Sequence, residues 1–380
     1  MRVQLYRFTD DWDRPLDSQL DSDTTLVLLF GEIGSRQDQH AALRSVCATF
    51  PRSIKSGGSR GSDIYEGRLE EYALVLAVIR FDKSRLKRAE YTVTSTEDSH
   101  TAGDALGKAL RHDDLRGVFL IGAGERIDEE ALTDGINRSL PKQVVVTGGV
   151  TTHNYRRQST HILSEDCHPR TDHVSAVGYY GDSLRFIASR QEGWERFGIE
   201  YKITSARGNI LYTLNHKPAL EVYRNHLGKL ADKLPGIATR FPLAIHPNRT
   251  DQAPRIHTII GIDETNQTLL FPQDIPVGHY AMFMKADTQR LLLGACEAAH
   301  DLSHAYQPPA SEALNITVSS MRRKRLLLHR TDEEPKMVRH TLPEGIHQVG
   351  FYSDGTIAPT DSGHSIADRQ TLVLTLIWEP

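Results

Sequence analysis

The first half of the sequence alternates short apolar segments with amphipathic helical patterns, and this alternation restricts the fold more than any other feature. The apolar segments are TLVLLFGE, ALVLAVIRF, GVFLIGAG and QVVVTGG, at residues 25–32, 73–81, 117–124 and 143–149. Each of the first three precedes a segment in which apolar residues recur with helical spacing. Continuous apolar strands of this kind usually lie inside sheets that are covered by helices. The alternation therefore predicts an α/β arrangement in this half.

The second half has a different texture, which begins after about Asp172. GIEYKITSARGNILYTLN (198–215) and RIHTIIGIDETNQTLLFPQ (255–273) indicate strand–turn–strand units. Helical patterns return at 218–230 and 290–306, and the chain ends in strand segments. A chain of 380 residues exceeds the usual size of one domain. We therefore predict a mixed α+β protein of two modules, each with large β-sheets flanked by helices.

The composition is that of an ordinary globular protein, with 39% hydrophobic and 25% charged residues. A formal charge of -4 gives no electrostatic basis for binding nucleic acid. The longest apolar run, residues 73–79, is too short to span a bilayer, and the polar start of the chain lacks the apolar stretch of a signal peptide. Cys47, Cys167 and Cys296 are odd in number and widely separated. We therefore expect neither a disulfide framework nor a zinc ribbon, and we place the chain in the reducing cytoplasm.

One short motif suggests catalysis. GGSRG (57–61) fits the G-x-S-x-G pattern of a serine hydrolase, with Ser59 as the nucleophile. That chemistry needs a buried strand before the serine and a helix directly after it, whereas the flanking RSIK and SDIYEG are weak candidates for either. We interpret GGSRG as a loop and expect a protein that is not an enzyme, with a serine hydrolase as the less favoured alternative.

Two histidines lie in extended, apolar surroundings: His246 in FPLAIHPNR and His257 in PRIHTII. A histidine in an apolar pocket is able to serve as an axial haem ligand. The competing interpretation is a histidine that is satisfied by backbone hydrogen bonds. Metal binding is also conceivable for HILSEDCHPRTDH (161–173), but this stretch lacks the fixed ligand spacings of metal motifs and is typical of a surface loop. The basic cluster MRRKR (321–325) follows a predicted strand and indicates a strand end or a local anion-binding point.

Several longer blocks resemble the FIST family, whose name joins F-box proteins and intracellular signal transduction. Gly193, Trp194 and Gly198 match a G-W-x-x-x-G element of that family. The block ARGNILYTLNHKPALEVY (206–223) and the ending GFYSDGTIAP (350–359) are similar to two further family elements. The resemblance extends over nearly the whole chain.

The resemblance implies a sensory module that binds a small ligand and reports to a signalling partner. It divides the chain into an N-terminal extension (1–23), a FIST N-like domain (24–216) and a FIST C-like domain (217–380). Stand-alone bacterial chains of this size resemble the haem-binding, nitric-oxide-sensing members (the NosP type), which act on histidine kinases. Haem is therefore the expected cofactor, with His246 and then His257 as candidate iron ligands. We expect a cytoplasmic protein, able to form a homodimer, without nucleic-acid or membrane partners.

The sequence departs from the family pattern at three positions. Gly58 stands where the family has the cysteine of G-C-S-T-A-G-E, and Ser320 stands where it has the cysteine of C-x-x-R, although Arg323 retains the arginine. Thr356 replaces the glutamate of G-E-I. Two thiols and a carboxylate are thus missing, which argues against thiol-based capture of a ligand.

The same positions suggest an alternative ligand, a small polar metabolite such as an amino acid. Arg323 would pair with its carboxylate through the fork geometry of a guanidinium group. Tyr352 would form a wall of the pocket, and Gly355, as the glycine of an Asp-Gly turn, would allow positive φ and let the backbone approach a neighbour or the ligand. Ser59 and Ser320 would line the same pocket. A purely structural turn explains Tyr352 and Gly355 equally well.

Overall fold

The computed structural model has the mixed α+β fold that the sequence predicts, and it describes residues 1–31, 37–58, 62–151, 160–247, 255–306 and 312–380. The chain divides into two compact units. Unit 1 contains Met1–Glu192 and Leu292–Pro380, and unit 2 contains Gly193–Leu291. Unit 2 is therefore an insertion in the sequence of unit 1. The module boundaries predicted after residues 23 and 216 are different divisions and remain a prediction.

The first part of unit 1 begins with a strand that sequence reasoning missed. We expected the first strand at Thr25, but Arg2–Phe8 already forms one, paired antiparallel with Leu74–Arg80. The helices of this part are α1 (Gln37–Thr49), α2 (Ser99–Leu110) and α3 (Glu129–Ser139). Its strands are β1 (Arg2–Phe8), β2 (Thr25–Phe30), β3 (Ile54–Gly58), β4 (Asp63–Tyr65), β5 (Arg68–Glu70), β6 (Leu74–Arg80), β7 (Arg85–Thr92), β8 (Leu115–Ala123), β9 (Val145–Thr151), β10 (Ile162–Leu163), β11 (Pro169–Arg170), β12 (His173–Tyr180) and β13 (Arg185–Gln191).

Unit 2 is built on a separate sheet with the strand order β18-β17-β21-β14-β15-β20-β19, and β16 pairs with β15. Its helix α4 (Ala219–Leu227) packs its apolar face into the core of this unit. The strands are β14 (Trp194–Arg207), β15 (Ile210–Leu214), β16 (Lys217–Pro218), β17 (Leu243–His246), β18 (Arg255–His257), β19 (Gly261–Asp263), β20 (Thr268–Leu270) and β21 (Tyr280–Ala286).

The chain returns to unit 1 within helix α5 (Thr288–Ala305). Two further helices follow, α6 (Met321–Leu327) and α7 (Glu333–Thr341). The strands of this last part are β22 (Ala313–Ser320), β23 (Ile346–Ser353), β24 (Gly355–Pro359), β25 (Ser365–Asp368) and β26 (Leu372–Trp378).

The described strands of unit 1 form three sheets. Sheet 1 has the order β1-β6-β2-β3-β10-β11, sheet 2 has β25-β24-β9-β8-β12-β7, and sheet 3 has β13-β26-β22-β23-β4-β5. Each contains a parallel pair whose strands are joined through helices: β2 and β3 through α1, β8 and β9 through α3, and β22 and β23 through α6 and α7. Parallel neighbours require such a crossover, which explains the strand–helix alternation of the sequence. Ligands of open α/β sheets bind outside the carboxyl ends of parallel strands, so these ends are the places to search for a site.

The segment GFYSDGTIAP passes from one sheet to another. Its first residues complete β23 in sheet 3, and its last residues form β24 in sheet 2. A Cβ atom at Gly350 would lie 1.8 Å from the carbonyl oxygen of Thr317 on β22, so only glycine fits there. Gly355 does not have a positive φ, and the predicted Asp-Gly turn is therefore wrong: Asp354 connects two extended strands.

Cys47 and Cys167 form a disulfide bond, which corrects the expectation of no disulfide. Their Cα atoms lie 6.4 Å apart although 120 positions separate them in sequence. The cysteine count did not reveal the pair because only the tertiary fold brings α1 against the turn between β10 and β11. Cys296 is a free, half-buried thiol.

No helix within the described ranges combines the length and the apolar composition that crossing a bilayer would demand.

Candidate functional site

The candidate site lies where the parallel strands β22 and β23 end, at the edge of sheet 3. Ser320 is the last residue of β22 and pairs with Ser353, the last residue of β23. On the other side, the N–H of Ser320 donates to the carbonyl oxygen of Thr371, at 3.2 Å. Residues that pair across a sheet present their side chains on the same face. Ser353, Ser320 and Thr371 therefore form a line of hydroxyl groups across the strand ends, which we call the hydroxyl row.

Two members of the hydroxyl row are buried without a hydrogen-bond partner. Ser353 and Thr371 are both 0% exposed, and neither hydroxyl has a partner among the described residues. Ser320 differs, because its Oγ accepts the backbone N–H of Arg323 at 3.2 Å and thereby caps α6. A buried hydroxyl without a partner costs free energy, so natural proteins rarely keep one unless a ligand or water completes it.

Arg190, on strand β13 of the same sheet, also has a buried polar atom without a hydrogen-bond partner in the described part of the chain. Arg190 pairs with Val373 on β26, which places its side chain on the face of the hydroxyl row. Its Nη2 atom lies 3.3 Å from the Glu192 carboxylate, whereas Nη1 is buried and has no partner in the described part of the chain. Nη1 of Arg190 is therefore a buried donor on the same face as the hydroxyl row, without a partner among the described residues.

The opposite face of sheet 3 holds Arg323 in a buried ion network. Arg323 donates from Nε (2.9 Å) and Nη2 (2.7 Å) to Oε1 of Glu334, and both residues are at most 1% exposed. The second carboxylate oxygen accepts from Ser319 Oγ at 2.7 Å and from the Tyr352 hydroxyl at 3.0 Å. We call these four residues the buried ion network. The fork of Arg323 that was predicted to bind a ligand carboxylate here contacts a carboxylate of the chain itself.

Tyr352 faces the buried ion network and not the hydroxyl row. It is fully buried, and this burial raises the pKa of its phenol well above the usual value. Ser319 and Tyr352 pair across β22 and β23, one position before the pair Ser320 and Ser353. Successive residues of a strand point to opposite faces, so the structure does not bring the side chains of Tyr352 and Ser320 together.

Charged residues gather beside the hydroxyl row; we call them the outer charged group and define them as Glu129, Glu192, Arg322, Asp354, Asp368 and Arg369. Arg369 donates from Nε to Glu129 at 2.7 Å. Burial lowers the pKa of the Arg322 guanidinium, the positive charge of Arg369 lowers it further, and Asp368 acts in the opposite direction.

Gly355 allows this group to form, since a Cβ atom there would lie 2.8 Å from the carboxyl group of Glu129. The predicted close approach at Gly355 is thus made by a side chain of the same protein.

Glu192 has an unusual protonation equilibrium. Its side chain is 26% exposed, and burial together with the negative charge of Asp368 raises its pKa to about 7, although Arg190 acts in the opposite direction. The carboxyl group therefore keeps its proton to a much higher pH than an ordinary glutamate does, and in its protonated form it is able to donate as well as accept a hydrogen bond. Sequence reasoning missed Glu192, Arg190 and Glu334, because none of them belongs to a motif.

The two candidate iron ligands lie in unit 2 and are not brought together. His257 pairs with Leu243 at one end of β17, and His246 ends the same strand three residues later, so their side chains lie on opposite faces of the sheet. His246 is 9% exposed, its Nε2 atom lies 2.8 Å from the Glu200 carboxylate, and its ring stacks on Tyr280. Ser59 lies outside the described residues, and within the described part no group of three potential metal-ligating side chains occurs.

The glycine-tryptophan element has a packing explanation. Gly198 has a φ of +100° and a Cβ atom there would lie 1.6 Å from Nε2 of His226. The His226 ring is in turn surrounded by aromatic rings, with centroids at 5.5 Å for Phe197, 4.6 Å for Phe283 and 5.8 Å for Tyr201. Only glycine permits both the backbone angle and this contact.

The fold and site thus define a two-unit α+β protein that lines one strand edge with buried, incompletely paired polar groups. Residues 25–217 match the family model of the FIST N domain, and residues 219–359 match that of the FIST C domain. The chain therefore belongs to the FIST family, whose domains are associated with the sensing of small ligands in signal transduction.

The other comparisons add little. No curated protein matches the chain. Among solved structures, phosphoribosylformylglycinamidine synthase II from Thermotoga maritima is 9% identical, with a TM-score of 0.23, and the match covers 78% of this chain and 72% of that one. The T. maritima PurL complexed with ATP gives 8% identity, the same TM-score and the same coverage. Likenesses this weak carry no argument about fold or function.

Proposed function

We propose that this protein is a sensor that binds a small polar metabolite at the hydroxyl row and reports the binding to a signalling partner. One observation carries the proposal: three polar atoms on one face of sheet 3, Ser353 Oγ, Thr371 Oγ1 and Arg190 Nη1, are buried and have no partner among the described residues. A small ligand with acceptor atoms would complete them. Membership of the FIST family supports the sensory role.

The charges beside the row favour a zwitterionic ligand such as an amino acid. Arg190 Nη1 and the hydroxyl of Thr371 are donors suited to a carboxylate. The negative charge of Asp368 contributes to the raised pKa of Glu192, and an ammonium group placed between the two carboxylates would relieve this repulsion. In this proposal Arg323 and Tyr352 position the ends of β22 and β23 from the opposite face and do not contact the ligand.

The test is a thermal-shift screen of the purified chain with the twenty amino acids, because a ligand that binds only the folded state raises the melting temperature. Thr371→Val and Ser353→Ala each remove an unpartnered hydroxyl, so we expect the ligand-free stability to stay the same or rise. Affinity for the ligand should fall by roughly 10- to 150-fold, since a hydrogen bond to a charged group contributes about 1.5–3 kcal/mol.

Ser84→Ala is the matched control. Ser84 is another buried serine whose hydroxyl has no partner in the described part of the chain, and it lies just before β7. The control should leave ligand affinity unchanged. Equal losses in Ser84→Ala and Thr371→Val, or no shift with any amino acid, would refute the amino-acid proposal.

A haem-binding, nitric-oxide-sensing protein that regulates a cytoplasmic histidine kinase is the second candidate. The observation that favours it is the contact between His246 Nε2 and Glu200, because metal-ligating histidines commonly hold a carboxylate with their other ring nitrogen. His246 would then hold the iron through Nδ1, and the bound haem would supply an open coordination position for nitric oxide. His257 is the second candidate iron ligand.

An absorption spectrum with added haemin, before and after nitric oxide, tests this candidate. We expect a sharp Soret band that shifts with nitric oxide and disappears in His246→Ala but persists in His257→Ala. A broad band that is identical in both variants would indicate loosely adsorbed haem and reject the candidate. A positive haem result with a negative amino-acid screen would leave the sensory role intact and replace only the ligand.

A further inference from the structure

We propose that the bond between Cys47 and Cys167 is a reversible modification site, where low-molecular-weight thiols and disulfides convert the chain between a cross-linked and a dithiol form. The bond joins α1 to the turn between β10 and β11. Nothing in the proposed ligand binding uses this pair. The inference is therefore independent of the proposed function.

Helix α1 is anchored without the disulfide. Its apolar side chains pack into a core against sheet 1, and Cys47 lies at the margin of that core. Ala42, Leu43 and Val46 of this helix, and Phe50 directly after it, are each at most 5% exposed. Burial of this size holds a helix in place, so breaking the S–S bond does not release α1.

The turn that carries Cys167 is also closed by its own contacts. The N–H of Cys167 donates to the carbonyl oxygen of Ser164 at 3.0 Å, and the N–H of Ser164 donates to that of His168 at 3.0 Å. Arg170 forms an ion pair with Asp166 at 2.9 Å across the same turn. Reduction would therefore remove the tether and leave both tethered elements folded, which is the condition for a reversible modification.

The tether joins elements that packing also holds. The strands β10 and β11 pair with each other at two positions, and Ile162 of β10 pairs with Gly58 of β3. Ile162 and Leu163 are both fully buried in apolar cores, and Arg88 donates to the carbonyl oxygen of Leu163. Side chains buried to this extent hold β10 in place without the disulfide. The oxidised and reduced forms should therefore differ in the covalent link between α1 and the turn, and not in secondary structure.

Small reagents are able to reach the bond, because both cysteines are half-buried and Asp166 and His168 beside Cys167 are exposed. In the exchange, a thiolate such as that of glutathione attacks one sulfur, forms a mixed disulfide and releases the other cysteine as a thiolate, which takes up a proton. A second glutathione thiolate then attacks the mixed disulfide. The sum is one protein disulfide and two glutathione thiols converted to two protein thiols and one glutathione disulfide.

The experiment equilibrates the full native chain with graded mixtures of reduced and oxidised glutathione. Acid quenching, denaturation and alkylation then count the free thiols by mass. We expect one adduct at the oxidised end, from Cys296, and three at the reduced end. The circular dichroism spectrum should be the same at both ends, and the melting temperature of the reduced form should be lower by roughly 5–10 °C.

Cys47→Ser and Cys296→Ser are the matched variants. Cys47→Ser should give two adducts in every mixture and the lower melting temperature throughout, whereas Cys296→Ser should change from no adduct to two. Three adducts in wild type under every mixture would overturn the proposal, because the bond would not form. A single adduct that persists until the protein unfolds would also overturn it, because the bond would then be a permanent structural link.

Discussion

Replacing Glu334 with glutamine should destabilise unit 1 by about 3–5 kcal/mol, the usual cost of breaking a buried ion pair by removing one partner. The carboxylate accepts four hydrogen bonds, two from Arg323 and one each from Ser319 and Tyr352. The amide of glutamine has one acceptor oxygen, so two of these donors would face an NH₂ group. The Arg323 guanidinium, which is 0% exposed, would also lose its counter-charge.

The loss of unfolding free energy should be smaller when a variant removes only one of the hydrogen bonds to Glu334. Tyr352→Phe removes one donor to the same carboxylate and leaves the ion pair intact. A hydrogen bond to a charged group contributes about 1.5–3 kcal/mol, so this variant should lose about that amount. Because both variants act on Glu334, their effects should not be additive in the double variant.

Urea unfolding measures these changes if the signal reports on unit 1. Trp12 and Trp378 belong to unit 1 and Trp194 to unit 2, so the Trp194→Phe background restricts tryptophan fluorescence to unit 1. Glu333→Gln is the matched control, as the neighbouring residue pairs with Arg330 at the surface and is 39% exposed. A surface pair contributes at most about 1 kcal/mol. If Glu334→Gln and Glu333→Gln shift the unfolding free energy equally, the assigned role of the buried ion network is wrong.

Two further predictions concern single positions. The pKa of Glu192 is about 7 in the folded state and about 4.5, the ordinary glutamate value, in the unfolded state. Between these two pH values the folded state binds the extra proton, so the contribution of Glu192 to the free energy of unfolding is complete at low pH and is lost as the pH rises towards 7. Glu192→Gln should therefore stabilise the protein by up to about 3 kcal/mol at pH 8 and have little effect at pH 4, as measured by urea unfolding, and equal effects at both pH values would contradict this. Gly198→Ala should destabilise unit 2 far more than Gly228→Ala. Both glycines have a positive φ, but a Cβ atom at Gly198 would collide with His226, whereas a Cβ atom at Gly228 would meet nothing within 4 Å. Thermal unfolding of both variants checks this, and similar melting temperatures would show that the contact with His226 is unimportant.

The sequence allowed the strand–helix alternation to be predicted because those signals are local. The apolar segment of β2 is buried at every position, which is why it lacks the polar alternation of an exposed strand. The family elements are likewise short stretches of sequence, but the contacts that require glycine at Gly198 and Gly350 are made with distant residues, His226 and Thr317. The predicted role of Ser320 at the edge of the site depended on position in a motif, and the structure places it in the hydroxyl row, where its own hydroxyl caps α6.

Pairings between distant segments could not be predicted in this way. Nothing near Arg323 in sequence indicated that Glu334 would take its fork, since that depends on how α7 packs after α6. The segment at Asp354 looked like a turn because aspartate and glycine favour turns, but the chain only bends at Asp354, and Gly355 already belongs to β24 in a different sheet.

The sequence by itself thus determined the family, the fold class and the motif positions of Ser320, Arg323 and Tyr352, because periodicity and motif spacing act over short distances. Only the tertiary structure decided which of those residues share a face. The two-residue period of β22 and β23 separates Tyr352 from Ser320, and the pairing with β13 and β26 adds Arg190 and Thr371 to the hydroxyl row. The Cys47–Cys167 bond has the same origin, since a contact across 120 positions exists only after the sheets have assembled.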